Sequence, residues 1–190
     1  CGLAEKGKIA PLIMVDNEKI KKLYPKLTVK KFWTTINNTV AGLFHVFNVL
    51  ANKDSEYTTF DATDYDSIMK QPGCMIMGVT SVKNLDSETA ISNALKKNLE
   101  KTLLAEGFDL TTASGAACIV VGSEEIFEET VGLMDSIEFG FDTLAALTGG
   151  AMVHRGIYED PNKDKLVTYT LVSGLKRPAK RIEGLKKFLK

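Results

Sequence analysis

Three carboxylates stand close together in the segment TFDATDYDSIM: Asp61, Asp64 and Asp66. If a helix begins at Asp61, Asp64 lies one turn further on, and the two carboxylates share one face of that helix. Carboxylates accept hydrogen bonds, so at this spacing they cap the free amides of the first turn and favour the positive end of the helix dipole. From the residue types alone, the segment therefore predicts a capped helix that ends near Gly73.

A second candidate pair lies upstream, where Trp33 and Asn37 stand one helical turn apart beside Asn38. A purine site needs an aromatic plane for stacking and an amide that both donates and accepts hydrogen bonds, and this pair supplies both. The alternative is that Trp33 belongs to the apolar stripe of its helix and packs in the core. The residue types leave both interpretations open.

Other reactive side chains match no motif. His45 and His154 stand outside any metal-ligand or nucleophile spacing, and His45 is expected to pack in a core or an interface. The sequence contains no zinc, G-x-S-x-G or glycine-rich phosphate-binding pattern. Cys1, Cys74 and Cys118 are odd in number and widely spaced, which indicates reduced thiols in a cytoplasmic protein. No metal site is therefore predicted.

Composition and charge restrict the class of protein. Of 190 residues, 44% are hydrophobic and 25% are charged, which is enough apolar material for a folded core. Lys plus Arg equals Asp plus Glu at 24 each, which argues against general nucleic-acid binding. No apolar run approaches the ~20 residues that a membrane-spanning helix needs. Because the chain begins with cysteine, we expect a processed or truncated piece of a longer protein.

The elements that position the two candidate pairs are organised around one long helix, predicted over residues 28–52 with Thr28 as its N-cap. Apolar residues recur in it at three- and four-residue steps, as on a helix with an apolar stripe. These are Val29, Phe32, Trp33, Ile36, Val40, Leu43, Phe44, Phe47 and Leu50. A helix of this length is predicted to bridge two packing units. The acidic loop and its short helix, residues 53–73, follow it.

The remaining elements predict an α/β fold. Residues 1–27 are expected to hold a short strand whose sheet lies upstream, and a brief helix ending at Pro25. Residues 74–175 alternate strands, at 74–82, 115–122, 151–158 and from 167, with helices at 87–106 and 124–139. The turn residues of EDPNKDK predict a hairpin of the last two strands. The predicted fold is therefore α/β (α+β), with a long core helix and a four-stranded mixed sheet carrying two helices on one face.

The last segment, residues 176–190, is strongly basic, with seven Lys and Arg side chains against Glu183 alone. If it is helical, Ile182, Leu185 and Leu189 share one side. Two interpretations remain: a solvated chain end, or an amphipathic tether to an acidic partner or an anionic membrane surface.

The ordered series of segments resembles the tubulin/FtsZ family, from just before its central helix to the end of its second domain. LIMVDNEKI is similar to the last strand of that family's GTPase domain, and TVKKFWTTINNTVAGLFHVF is similar to the helix that joins the two domains. TFDATDYDSIM resembles the acidic loop and short helix of FtsZ proteins, in which the motif is N-x-D-F-A-D-V. The series continues with PGCMIMGVTS, LLAEGFDLTTASGAACIVVG, HRGIYEDP and VTYTLVSGL.

The resemblance implies a role for each candidate pair. In the family, GTP binds the first domain, and the acidic loop of the next subunit in a head-to-tail filament completes the pocket and aligns the attacking water. Asp61 and Asp64 match the two acidic positions, Asp64 being the one most closely tied to water activation, and Trp33 and Asn37 match positions that stack on and hydrogen-bond the guanine. The chemistry is consistent, because a carboxylate orients and polarises water while metal and backbone amides balance the phosphate charge.

The resemblance also implies what this segment lacks. GTP and Mg²⁺ are expected in the intact protein, whose glycine-rich GTPase domain would lie upstream, and neither is expected to bind this fragment alone. Two departures stand out: Thr59 replaces the usual Asn, and NKDSEYT contains an extra residue. Slow hydrolysis or altered subunit contacts would follow. The alternatives are a divergent relative that does not polymerise, and a free-standing α/β interaction module.

Overall fold

The computed structural model describes residues 2–16, 18, 21, 25–100 and 107–186. Its helices are α1 (Gly2–Glu5), α2 (Val29–Leu50), α3 (Ala62–Met69), α4 (Ala90–Glu100), α5 (Glu124–Glu129), α6 (Leu133–Leu147) and α7 (Ala179–Lys186). Its strands are β1 (Leu12–Ile13), β2 (Cys74–Ser81), β3 (Gly115–Gly122), β4 (Met152–Glu159) and β5 (Val167–Leu175). Most of the brief helix predicted before Pro25, and the end of the helix predicted over 87–106, lie outside the described residues.

The strands form one mixed sheet in the order β1-β2-β5-β3-β4. β5 runs antiparallel to both of its neighbours, whereas β3 and β4 are parallel. β1 pairs in parallel with β2, placing Leu12 opposite Cys74 and Ile13 opposite Met75. The short strand therefore belongs to this sheet and not to one upstream. The predicted α/β class with a mixed sheet is confirmed, and the sheet has one strand more than predicted.

Helices cover both faces of the sheet. The two faces can be told apart along the buried strand β3, whose alternate residues point to opposite sides. Cys118 and Val120 pack with Leu95 of α4 and Phe141 of α6. Ile119, between them, packs on the other face with residues of α2 and α3. The two helices predicted on one face are therefore α4 and α6, and the long helix lies on the opposite face.

The long helix α2 contributes to two separate apolar clusters. In its C-terminal half, Leu43, Phe47 and Leu50 are buried against the sheet. In its N-terminal half, Phe32 and Ile36 form a smaller cluster with Leu27 and Val40 as partly buried neighbours. Among the side chains of α2 that the structure describes, the apolar stripe predicted from the sequence therefore forms, except that Trp33 remains 52% exposed.

Strand β5 is buried on both faces, although its alternation of apolar residues with Thr168 and Thr170 predicts one solvated face. Both threonines are 0% exposed. The Thr170 hydroxyl accepts a hydrogen bond of 3.0 Å from Nδ2 of Asn98 on α4. A central position between β2 and β3 explains the difference, because a threonine whose hydroxyl is bonded fits a buried face.

The hairpin predicted between β4 and β5 is wrong, because β3 lies between these two strands. The connecting residues do form a turn, in which Lys163 N donates to Asp160 O at 3.0 Å. That turn carries the chain from the edge of the sheet across β3. Turn residues determine a local reversal of the chain, whereas strand order depends on which apolar faces can be buried together.

The single helix predicted over 124–139 is wrong, since α5 ends at Glu129 and α6 begins at Leu133. Gly132 between them has φ of 73°, the left-handed conformation that glycine adopts most readily. The apolar spacing of a single helix would bury Val131, whereas at this break its side chain is 99% exposed. The break allows α6 to bury Ile137 and Phe141 against the sheet.

The basic segment begins as helix α7, so a frayed chain end is wrong for residues 179–186, although Lys180 and Glu183 are exposed to solvent; residues 187–190 lie outside the described residues. Nε and Nη2 of Arg181 donate to the Asp16 carboxylate at 2.6 and 2.9 Å, and Nη2 also donates to Glu18 at 2.8 Å. These bonds attach the helix to the segment that follows β1. At least part of its positive charge is thus balanced within the chain.

Candidate functional site

The acidic loop ends in a reciprocal cap at the start of α3. The Asp61 side chain accepts from the backbone amide of Asp64 at 2.8 Å, and the Asp64 side chain accepts from the amide of Asp61 at 3.3 Å. The capping predicted from the spacing is therefore confirmed. Asp61 is exposed and the Asp64 side chain is 30% exposed, so the cap leaves both carboxylates open to solvent.

The second oxygen of Asp64 contacts a histidine from the far end of the chain. Nδ1 of His154, on edge strand β4, lies 2.7 Å from Oδ1 of Asp64. Because His154 pairs with Ala117 in the sheet, the imidazole is carried by rigid backbone. The side chain of His154 is only 14% exposed. Both Asp64 oxygens are thus hydrogen-bonded, one to the backbone of the loop and one to β4.

Tyr158, two pleats further along β4, anchors the loop from beneath. Its fully buried hydroxyl contacts Leu50 O at 3.1 Å, Phe60 O at 3.0 Å and the Phe60 amide at 2.8 Å. Burial raises the pKa of this phenol, and the Asp64 and Asp61 carboxylates raise it further. The neutral hydroxyl therefore remains a hydrogen-bond donor while it ties the end of α2 to the residue before Asp61.

The first part of the loop is bonded to the outer edge of β4. The Ile157 amide donates to Thr58 O at 2.9 Å, and Lys53 Nζ donates to Glu159 O at 2.8 Å. The Tyr57 hydroxyl donates to Glu159 Oε1 at 2.6 Å, and this hydrogen bond is the largest cause that raises the pKa of Tyr57 to about 12. The loop is therefore held along its length, although the segment contains the extra residue noted above.

Trp33 and Asn37 lie on an open face of α2. Trp33 is 52% exposed and meets Phe32 edge to face at 5.4 Å, and Asn37 is exposed one turn later. Positions 37 and 50 are separated by about 20 Å along the helix, from its rise of ~1.5 Å per residue. The structure thus keeps this pair at the opposite end of α2 from Asp61 and Asp64, and the two pairs do not share a pocket within one chain.

Two residues of the site were missed by sequence reasoning. No motif surrounds His154 in the sequence, and Tyr158 stands in the sequence only as a strand residue. Neither has a local signal, since their partners lie 90 or more positions away in the chain. The other histidine, His45, is exposed on α2, which excludes a core position, and its packing in an interface stays a prediction.

The described residues contain neither a metal cluster nor a membrane-spanning helix. In that part of the chain, no three side chains of His, Cys, Asp or Glu are grouped so that they could hold a metal ion. Over the same residues, no helix is long and apolar enough to cross a membrane. Cys74 and Cys118 are buried free thiols, and burial raises the pKa of Cys118 to about 12.

Comparison with known proteins identifies the fold. Similar solved structures include a GTPγS-form protofilament of TubZ from Bacillus thuringiensis serovar israelensis, at TM-score 0.75 and 19% identity over 91% of this chain and 43% of that one. An FtsZ dimer from M. jannaschii gives a TM-score of 0.68 at 19% identity, covering 88% of this chain and 49% of that one. CetZ from Methanosaeta thermophila gives 0.62 at 22% identity, covering 92% and 45%.

The chain thus spans less than half the length of these proteins, and at these identities the likeness establishes the fold. No match was found among curated proteins. The family model described as "Tubulin-like protein TubZ, C-terminal domain" matches residues 58–179, which is more than half of the chain. The tubulin/FtsZ resemblance of the sequence is therefore confirmed, and the chain belongs to the TubZ C-terminal domain family of tubulin-like proteins.

Proposed function

We propose that this chain supplies the activating half of a composite GTPase site in a filament-forming protein of the tubulin/FtsZ type. The observation that carries the proposal is the pair of solvent-accessible carboxylates, Asp61 and Asp64, at the N-terminus of α3. An oriented carboxylate at a surface that a neighbouring subunit can reach is suited to align and polarise an attacking water. Asp64 takes that role, and Asp61 supports the cap that orients it.

The separation of the two candidate pairs supports a site shared between subunits. Trp33 and Asn37 occupy one half of α2, and the acidic loop follows the other end. In a head-to-tail filament, one end of each subunit binds that subunit's nucleotide. The other end contacts the nucleotide that is bound to the neighbouring subunit. The protofilament form in which TubZ of B. thuringiensis was solved supports such self-association.

The proposed binding of GTP and Mg²⁺ follows from the same separation of the two candidate pairs. Guanine is held by Trp33 through stacking and by Asn37 through its amide, both of which are accessible. As the family resemblance implies, we assign Mg²⁺ and the phosphate-binding amides to a nucleotide-binding domain outside this segment. The free buried thiols Cys74 and Cys118 are consistent with a cytoplasmic protein.

The experiment that tests the proposal measures GTP turnover against concentration for the protein that contains this segment together with its nucleotide-binding domain. Turnover per subunit should rise steeply above a critical concentration, because the site exists only between neighbours. Sedimentation at the same concentrations should report filaments at the same threshold. Turnover per subunit that is constant down to the monomer range would contradict a composite site.

A second candidate is a filament that forms without turning over GTP. The observation in its favour is that the Thr59 hydroxyl accepts a 3.2 Å hydrogen bond from the Ser55 amide inside the loop. This residue, which replaces the usual Asn, is therefore engaged within its own loop. Sedimentation that depends on GTP, with no release of phosphate, would favour this candidate.

Replacing Trp33 with alanine should weaken nucleotide binding. Loss of one base–aromatic stack costs about 1–3 kcal/mol, so we expect Kd for GDP to rise about 5- to 150-fold. Because Trp33 is half exposed, the unfolding transition should move little. Calorimetry on the protein with its nucleotide-binding domain measures both, and Trp33→Phe, which keeps a ring, is the control. Equal affinity of the Ala and wild-type proteins would remove Trp33 from the site.

A further inference from the structure

We infer that His154 is the positioning residue that holds the carboxylate of Asp64 in the orientation needed for water activation. The inference rests on the proposed function, because it concerns the same carboxylate. It goes beyond that function by assigning a role to a side chain of edge strand β4, about 90 positions away from the acidic loop. Three observations carry it: the hydrogen-bond pattern at Asp64, the rigidity of the donor, and the difference in exposure between the two side chains.

The hydrogen-bond pattern determines the rotation of the carboxylate. The Asp61 amide donates to Oδ2 of Asp64 at 3.3 Å, which is a long and weak bond. His154 Nδ1 lies 2.7 Å from Oδ1, a short contact of the charge-assisted kind. The cap at the start of α3 would by itself hold the plane of the Asp64 carboxylate only loosely. The histidine is therefore the stronger of the two constraints on Asp64.

The chemistry of the contact also defines the donor. In its carboxylate form Asp64 only accepts hydrogen bonds, so Nδ1 of His154 must carry the proton. Each carboxylate oxygen offers two acceptor positions, and each receives one hydrogen bond from the described part of the chain. One position on each oxygen therefore remains for water. Asp64 is oriented without being saturated, as a residue that must bind and polarise water requires.

The histidine is suited to a fixed orientation. It lies within β4, whose backbone pairs with β3 from Met152 to Glu159. Its side chain is 14% exposed, whereas that of Asp64 is 30% exposed. The donor is thus enclosed while the acceptor reaches the surface. A catalytic group held by a rigid neighbour loses less conformational freedom when the reacting complex forms.

The test compares three substitutions in the protein that carries its nucleotide-binding domain, assayed at saturating GTP and well above the critical concentration. His154→Ala removes the donor. His154→Asn retains an amide N–H near the position of Nδ1, whereas His154→Gln places its amide further out, near Nε2. His45→Ala on the exposed face of α2 is the matched histidine control. Thermal unfolding and critical concentration are measured for every variant.

We expect kcat to fall about 10- to 100-fold in His154→Ala and His154→Gln, as for a misplaced catalytic group. In His154→Asn and His45→Ala, kcat should remain within about 3-fold of wild type, because the donor is retained or untouched. The critical concentration should not change. If His154→Ala does not fold, the Asn and Gln variants carry the comparison, since both are polar.

Several outcomes would overturn the inference. Unchanged kcat in the Gln variant would do so, and so would an equal loss in the Gln and Asn variants. A changed critical concentration with unchanged kcat would show that His154 only stabilises the subunit. Asp64→Ala, measured in parallel, separates this failure from that of the proposed function. Loss of turnover in Asp64→Ala with none in His154→Gln overturns the inference alone, whereas full turnover in Asp64→Ala overturns both.

Discussion

Replacing Asp64 with alanine should lower GTP turnover in the assembled protein by about 10²- to 10⁴-fold, the usual effect of removing a general acid–base group. The reason is geometric, because Asp64 is the accessible carboxylate whose two oxygens are already oriented by the Asp61 amide and by His154. Assembly should persist, since the loop backbone is also bonded to β4. Phosphate release per sedimented subunit is the measurement that isolates the chemical step.

Asp66 provides the matched control for this experiment. It lies on the same helix two positions later, is exposed, and forms an ion pair with Lys70 one turn on. An exposed pair of this kind contributes about 0–1 kcal/mol to stability. Asp66→Ala should therefore leave turnover within about 2-fold of wild type, because this carboxylate takes no part in the cap. Comparable losses in both variants would indicate a general effect of acidic charge and would contradict a specific role for Asp64.

Replacing Tyr158 with phenylalanine should have the largest effect on stability of any single-atom change in the site. The substitution removes a buried hydroxyl that bonds Leu50 O, Phe60 O and the Phe60 amide. Buried polar groups that lose their partner cost about 1–3 kcal/mol, so the free energy of unfolding should fall by about 2 kcal/mol. For a domain of this size, that corresponds to a Tm lowered by about 4–8 °C.

Urea unfolding measures this effect, and the slope of free energy against urea should stay unchanged, since the surface exposed on unfolding is the same. Tyr169→Phe is the control. Tyr169 is 8% exposed in the same cluster, and its hydroxyl forms no hydrogen bond with the described residues. We expect Tyr169→Phe to unfold close to wild type. If the two variants unfold alike, the hydroxyl of Tyr158 does not anchor the loop.

Local features of this protein could be predicted from the sequence because their cause is local. The helical period of the apolar residues that include Phe47 and Leu50 is a property of α2 itself, and burial of those residues follows from it. The cap of α3 depends on Asp61 and Asp64, which stand three positions apart. For the same reason, the ordered segments were sufficient to predict the family that the TubZ model match confirms.

The break between α5 and α6 shows where local reasoning fails. The apolar period through residues 124–139 continues without interruption in the sequence, and Gly132 is a weak signal by itself. Packing decides the break, since a left-handed residue there lets α6 bury Phe141 on the sheet while Val131 points to solvent. The cost of exposing one valine is small compared with the burial of a helix face.

By itself, the sequence determined the helices α2, α3 and α4, most strands, the α/β class and the capped pair Asp61–Asp64. Only the tertiary structure decided that β5 lies between β2 and β3, that β1 joins the same sheet, and that His154 and Tyr158 reach the acidic loop. The physical reason is the range of the forces involved. Periodicity and capping act over one or two turns of chain, whereas strand order and the His154–Asp64 contact depend on which distant surfaces exclude water together.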